Sequence, residues 1–280
     1  RELRRRWHMR ELRKKQIRIK ANSVREKCKV GRYGIIDLFK ECERLGYNLI
    51  RYPLGDNADL GFVLMKENDI IIFTNTSSRL SREIFTLAHE IGHVILHMNK
   101  EEPFIDDNVT ISGGSTDEKE QEANYFAACL LMPEADVERF LDFELDEFPK
   151  RNLSAMDIAR IMSEFNVSFD MALNRLENLE KIDAEEHLRL DNEKNQRRVG
   201  NLLRSVGGNA KLNEAAEYFD IPYEYMEYVI YNYNHNAIPQ GTLERALEYF
   251  HLTMDDISDR LSDFTEEQDD LDDLIGGLID

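Results

Sequence analysis

Three of the chain's seven histidines stand four residues apart in the stretch REIFTLAHEIGHVILHMNK. The letters HEIGH, from His89 to His93, match the pattern His-Glu-x-x-His. Histidines one turn apart lie on the same face of a helix, so both imidazoles can bind a single Zn²⁺ ion. Glu90, between them, points beside such an ion and can take a proton from a water bound there. The spacing therefore predicts a metal centre with His89 and His93 as ligands and Glu90 as general base.

The helix around these residues must bury them. At about 100° per residue, Arg82, Thr86 and Glu90 share one helical face with the three histidines, and the other positions are mostly apolar. A helix that is apolar almost all round is a buried helix, so we expect its polar face to line a cavity or a cleft. The competing interpretation is a core helix whose histidines are satisfied by hydrogen bonds.

A catalytic zinc site needs a third protein ligand, which should come from a separate helix. The run DEKEQEANYFAACLLMP offers three carboxylates: Glu118, Glu120 and Glu122. Glu120 shares its helical face with Ala123 and Ala127, whose small side chains allow a close approach to the histidine helix. The face of Glu122 carries bulky aromatic residues, which would hold the helices apart. We therefore expect Glu120 to be the third ligand.

Four other polar residues have supporting roles in this interpretation. Asn124, on the face of the third ligand, is placed to hydrogen-bond a ligand or, alternatively, a loop. His97 lies two turns from the first histidine, so we expect it to bond a loop or a substrate group. We expect Arg82 to form a salt bridge, with a substrate carboxylate as the alternative partner. Tyr125 and His97 are candidates for stabilising the oxyanion of a tetrahedral intermediate.

Charge is divided unevenly along the chain. Residues 1–32 carry 14 Lys or Arg against 3 acidic residues, a balance of +11, so the remainder must carry −30 to reach the total of −19. An acidic body argues against nucleic acid as the main partner. We expect the basic segment to be a solvated helical face; nucleic acid, an acidic protein surface and the chain's own acidic tail are alternative partners.

The cysteines and the hydropathy indicate a cytoplasmic protein. Cys28, Cys42 and Cys129 are too few and too scattered for a disulfide framework, which predicts structural thiols in a reducing compartment. No apolar run approaches the roughly 18 to 20 residues needed to span a bilayer, and no signal peptide opens the sequence. We therefore expect no membrane partner.

The periodicity predicts an α+β fold, a mainly helical domain with a small three-stranded sheet and an all-α C-terminal region. A helix over 35–46 precedes three β-like runs at 47–54, 61–66 and 69–75, the last two joined by a tight hairpin. The histidine helix, a loop and the glutamate helix follow. The strand at 69–75 is a candidate for pairing with an extended substrate by strand addition, and its structural role is that of a strand in the core sheet; both roles can hold together.

Three segments beyond residue 150 share a helix-turn-helix form: 158–176, 213–230 and 244–261. Ser168 and Thr253 fit as N-caps of the second helices. Because these segments are acidic, we expect a protein-interaction surface and no direct DNA binding. The acidic tail that follows is interpreted as solvated.

The two motifs together carry a family resemblance. FTLAHEIGHVILH, followed by EQEANYFAACLLMP, resembles the ImmA/IrrE family of zinc metallo-endopeptidases. The resemblance covers roughly residues 20–180 and includes the strand IIIFTN and the segment IARIMSEFNVSFDMALNRLENL. The glutamate helix is also similar to the ligand helix of thermolysin-like gluzincins, with Asn124 where an aspartate is often found.

The resemblance implies a cytoplasmic endopeptidase that holds one zinc ion through His89, His93 and Glu120. The substrate it implies is a protein, a helix-turn-helix transcriptional repressor or an antitoxin, whose cleavage switches on gene expression. The alternative is a zinc-stabilised regulator that sequesters its partner without proteolysis. The predicted organisation is a basic helical segment (1–32), a metallopeptidase domain (33–180), a helical C-terminal domain (181–262) and an acidic tail (263–280).

Overall fold

The computed structural model describes residues 9–55, 60–66, 69–98, 117–145, 152–216, 223–250 and 252–261. The chain divides into two compact units, Arg1–Ile221 and Pro222–Asp280. The α+β class is confirmed, because helices dominate and three short strands form one small sheet. The domain boundaries at residues 32, 180 and 262 stay predictions.

The elements of the first unit begin with the helices α1 (Glu11–Arg25) and α2 (Leu38–Arg44) and the strands β1 (Asn48–Tyr52), β2 (Gly61–Lys66) and β3 (Asp69–Asn75). They continue with α3 (Leu80–His97), α4 (Asp117–Leu131), α5 (Glu134–Glu144), α6 (Ala155–Phe165), α7 (Phe169–Asn178), α8 (Ala184–Gln196) and α9 (Val199–Ser205). The second unit contains α10 (Tyr223–Asn234), α11 (Gln240–Tyr249) and a 3₁₀ helix at Asp255–Arg260. Across the described ranges, no helix is long and apolar enough to cross a membrane.

The sheet has β3 at its centre, between β1 and β2. Ile72 of β3 lies opposite Leu49 in the parallel pair with β1 and opposite Val63 in the antiparallel pair with β2. The predicted pairing of the last two strands is therefore confirmed, and their turn, residues 67–68, lies outside the described residues. The prediction that a substrate pairs with the strand at 69–75 was wrong, because both edges of β3 are already paired with β1 and β2.

A buried ion pair positions α3 against the sheet. Arg51 of β1 donates from Nε and Nη2 to the two carboxylate oxygens of Glu83, at 2.7 and 2.9 Å. Thr74 Oγ1 of β3 donates to Glu83 Oε1 at 2.9 Å. The ring of Phe39 covers the guanidinium, whose central carbon lies 3.6 Å from the ring centroid. A buried pair of this kind adds little net stability over an apolar pair, but the loss of one partner is costly.

The basic helix α1 packs against α4. Its buried side is apolar and includes Ile17, Ala21 and Val24. Its cations pair with acids of α4 and α5: Arg13 with Glu122, Arg18 with Glu134 and Arg25 with Asp136. The predicted solvated face is present, since Lys15, Gln16 and Lys20 are exposed, but an apolar stripe and complementary charge bury the opposite side of α1.

The first predicted helix-turn-helix unit is formed by α6 and α7. Ser168 Oγ accepts a hydrogen bond from the Met171 backbone N–H at 3.1 Å, so its predicted capping role is confirmed. Ser154 caps α6 in a capping box with Asp157. Asn166, in the left-handed conformation with φ 56°, turns the chain between the two helices.

The second predicted unit departs from this pattern at its start. Residues 214–216 are not helical. Ala215 forms an isolated β-bridge with Arg79, and Leu80 N donates to Glu214 O at 2.8 Å. Tertiary hydrogen bonds to the start of α3 thus replace the helix predicted from residue 213.

The second unit has a small core of its own, formed by Met226, Val229, Ile230, Leu243, Ala246, Leu247 and Ile257. Its last element is a 3₁₀ helix, and Met254 precedes it in the N-cap position that we predicted for Thr253. Thr253 Oγ1 instead donates to Asp256 Oδ2 at 2.7 Å. The predicted loop at 99–116 and the acidic tail at 263–280 lie outside the described residues.

Candidate metal centre

The two helices that carry the predicted ligands meet at a glycine. A Cβ on Gly92 of α3 would lie 3.3 Å from Ala123 Cα and 3.1 Å from Phe126 Cδ1 of α4. Ala123 and Ala127 are fully buried at this contact. Small residues on both helices bring the backbones together, so Glu120, on the same face of α4, reaches the histidines.

His89, His93 and Glu120 converge at one point. The Nε2 atoms of the two histidines lie 2.9 Å apart, and each lies 3.2 Å from an oxygen of Glu120. One ligand atom from each residue falls within 4.8 Å of the others. Bonds of about 2.0 to 2.1 Å at tetrahedral angles place zinc ligand atoms about 3.3 Å apart. The three side chains therefore fit the ligand set of a single metal ion.

Glu90 is turned into the protein beside this cluster. Its side chain is buried, and Oε2 has no hydrogen-bond partner within the described part of the chain. Burial, and then the neighbouring Glu120 carboxylate, raise the pKa of Glu90 to about 8. A buried carboxyl oxygen without a partner is unusual in a folded protein and fits a group that acts on a proton.

The environment favours neutral imidazoles at this centre. Burial lowers the pKa of His89, and burial followed by the neighbouring His89 lowers the pKa of His93 to about 4. Asn124 Oδ1 lies 3.0 Å from His89 Nδ1 and can accept a hydrogen bond from the Nδ1–H group. That tautomer leaves the Nε2 lone pair of His89 facing Glu120, as metal ligation requires.

His97 connects His93 to a carboxylate outside the ligand cluster. Its Nδ1 lies 3.1 Å from His93 Nδ1, and its Nε2 lies 3.1 Å from Glu122 Oε2. Glu122 also accepts a hydrogen bond from Arg13 Nε at 2.6 Å, and this bond with Arg13 lowers the pKa of Glu122. The partner of His97 is therefore a carboxylate on α4, where we had expected a loop or a substrate group.

Sequence reasoning missed Glu122 and Arg13 as part of this site. His97 is the last residue of α3 and Glu122 lies in the first half of α4, so spacing within either helix does not signal the pair. Arg13 is 109 residues from Glu122 along the chain, and nothing local connects them.

Arg82 and Tyr125 lie apart from the ligand cluster. Arg82 is exposed and makes no salt bridge with any described residue, so the ion pair that we expected is not found among them. Tyr125 lies beside Cys129, and burial raises the pKa of its hydroxyl to about 12. Both residues line a cavity that also reaches Asn124.

The part of the chain that contains this centre matches a known protein family. Residues 42–177 match the peptidase M78 model, which describes the IrrE N-terminal-like domain. The chain carries an IrrE N-terminal-like domain. The resemblance to the ImmA/IrrE family is thus confirmed, and the IrrE-like domain contains all three predicted ligands as well as Glu90. The helix that supplies Arg13 lies before the matched range.

One similar protein comes from a bacterial virus. The chain is 29% identical over 134 residues to the uncharacterized immunity region protein 2 of Bacillus phage phi105. The aligned part covers 47% of this chain and 82% of the phage protein.

Proposed function

We propose that this chain is a zinc-dependent endopeptidase that cleaves a specific protein. The observation that carries the proposal is the convergence of His89, His93 and Glu120 beside the buried Glu90. The match to a peptidase family supports it.

Two histidines and a carboxylate are a known ligand set of hydrolytic zinc sites, where the ion acts as a Lewis acid and lowers the pKa of a water to about 7. Glu90 would take a proton from the attacking water and deliver one to the leaving amine. In the loaded protein Glu90 would ionise near neutral pH, because positive charge beside it opposes the effect of burial. Asn124 would hold the ring of His89 in the ligating orientation.

An extended substrate would pair with β2. A Cβ on Gly61, at the start of this strand, would lie 3.4 Å from Glu90 Oε1, so β2 runs beside the proposed general base. The second edge of β2 is unpaired within the described sheet, and its main chain can bind a peptide by strand addition.

As the substrate we propose a helix-turn-helix repressor or an antitoxin in the cytoplasm, whose cleavage switches on gene expression. The phage relative, which is named an immunity region protein, supports a regulatory role. The second unit would serve as a protein-interaction surface, since α10 exposes Tyr228 and Tyr231.

Co-expression with repressors encoded in neighbouring reading frames tests this proposal. The wild-type chain should produce cut fragments that mass mapping locates, whereas Glu90→Gln should bind zinc equally and cut nothing. A chelator should stop cleavage and zinc should restore it. Glu118→Gln, an exposed carboxylate on α4, is the matched control and should cleave normally. Unchanged regulation by Glu90→Gln would contradict proteolysis and favour sequestration of the partner.

A further inference from the structure

A large cavity lies beside the metal centre. Its volume is about 1410 Å³, and residues of α3, α4, α7 and α8 line it. Asn124, which contacts His89, forms part of its wall, so the cavity and the centre share a residue. Pockets for small molecules measure roughly 300 to 1,000 Å³, so this cavity has room for a segment of polypeptide.

Four arginines on the wall have no acidic partner in the described ranges. Arg79 and Arg82 lie at the start of α3, and Arg197 and Arg198 connect α8 to α9. All four are exposed. Most other described arginines pair with carboxylates. Unpaired guanidinium groups on a concave surface concentrate positive potential there.

The acidic residues of the wall do not cancel this charge. Among the described residues that line the cavity, Asp170 is the one acid, and it already pairs with Lys194. In a chain with a net charge of −19, this wall is a local exception.

Between the cations the wall offers hydrogen-bonding and apolar groups. Gln121, Asn174 and Asn178 contribute amides that can bind a peptide main chain. Phe85 and Met171 are partly buried and give apolar contact area. A surface that mixes these groups suits a peptide better than a bare phosphate backbone.

We propose that this cavity binds an acidic peptide segment of the protein that the metal centre cleaves. The four arginines would pair with aspartate and glutamate side chains of that segment. This rests on the proposed function in one respect, since it takes the bound peptide to belong to the substrate. Nucleic acid is disfavoured because the chain beyond residue 32 carries −30 and repels a long polyanion.

Fluorescence anisotropy of the full zinc-loaded Glu90→Gln chain tests the proposal without cleavage. The probe is a short labelled peptide rich in Asp and Glu with interspersed Leu, and its control replaces the acids with Asn and Gln. We expect the acidic peptide to bind about tenfold more tightly than its amide control. The double variants Arg79→Glu with Arg82→Glu, and Arg197→Glu with Arg198→Glu, should each weaken acidic-peptide binding about tenfold.

The matched control variant is Lys27→Glu with Lys29→Glu, which makes the same charge change at exposed positions outside the cavity. It should alter the affinity by less than roughly twofold, because solvent and salt screen distant charges. All variants should keep the wild-type melting temperature, which shows that they fold.

Three outcomes overturn the proposal: equal binding of the two peptides, no effect of the arginine variants, or tighter arginine-dependent binding of single-stranded DNA. The two proposals can fail separately. Arginine-dependent peptide binding with no cleavage by the wild type supports the cavity and contradicts the peptidase. Cleavage of a protein target that the arginine variants leave unchanged contradicts the cavity alone.

Discussion

Gly92 of α3 faces Ala123 of α4 so closely that a side-chain carbon between them would require a shift of a few tenths of an ångström. A Cβ at Gly92 would lie 3.3 Å from both Cα and O of Ala123. The glycine of the HEIGH motif therefore sets the distance between the helix of the two histidines and the helix of Glu120.

Gly92→Ala should push these helices apart and weaken metal binding. We expect zinc affinity to fall about tenfold and the metal-free protein to lose about 1 to 3 kcal/mol of stability through overpacking. Zinc titration against a competing chelator and thermal unfolding measure the two effects. The control is Gly241→Ala in α11, where an added Cβ meets nothing within 4 Å. Its free energy of unfolding should rise by about 0.5 to 1 kcal/mol. Equal zinc affinity in the two variants would contradict the spacing role.

Glu122→Gln should weaken zinc binding without removing a ligand. The Glu122 carboxylate orients His97 through a hydrogen bond, and an amide is a weaker acceptor at this position. His97 in turn contacts His93. Loss of such support costs roughly 10- to 100-fold in metal affinity, while the stoichiometry stays at one ion. Competitive zinc titration measures the affinity, with the exposed Glu118→Gln as control. If both variants match the wild type, the contacts of His97 do not support the centre.

The metal-free protein should become less stable as pH rises, because of Glu90. Its pKa is about 8 in the folded chain and near the ordinary 4.5 in the unfolded chain. Between these values the unfolded chain has released the proton and the folded chain has not, so unfolding becomes easier as pH rises. At a pH below the pKa of the unfolded chain, both states hold the proton and this loss of stability disappears.

Glu90→Gln removes this titration. The free energy of unfolding of the metal-free variant should exceed that of the wild type by on the order of 2 to 4 kcal/mol near pH 8. The two values should be equal near pH 4. Thermal unfolding in the presence of a chelator, across this pH range, measures the difference. A difference that does not change with pH would show that the buried Glu90 carboxyl is not the cause.

Glu83→Ala should strongly destabilise the first unit, because it leaves Arg51 buried without its carboxylate. We expect a loss of about 3 to 5 kcal/mol in the free energy of unfolding. The double variant Arg51→Met with Glu83→Leu should recover most of it, since an apolar pair replaces the charges. Glu11→Ala, which breaks an exposed pair with Lys14, should cost under about 1 kcal/mol. Denaturant unfolding compares all three, and a small loss in Glu83→Ala would contradict a buried pair.

Local spacing was sufficient to propose His89, Glu90 and His93, because residues four apart share a helical face whatever surrounds them. Helical spacing likewise explains why most helices could be predicted, and short runs rich in β-branched and aromatic residues explain why all three strands could be. It failed where distant hydrogen bonds compete with local preference, as at Ala215, whose bridge to Arg79 replaces a helical turn.

The sequence by itself determined the pair of histidines, the glutamate between them and the small residues that select Glu120. Tertiary structure alone decided that β3 is a central strand, that Arg13 reaches Glu122 across 109 residues, and that arginines from two separate segments line one cavity. The physical reason is range: helical periodicity acts over a few residues, whereas charge pairing and strand order depend on which distant segments the core brings together.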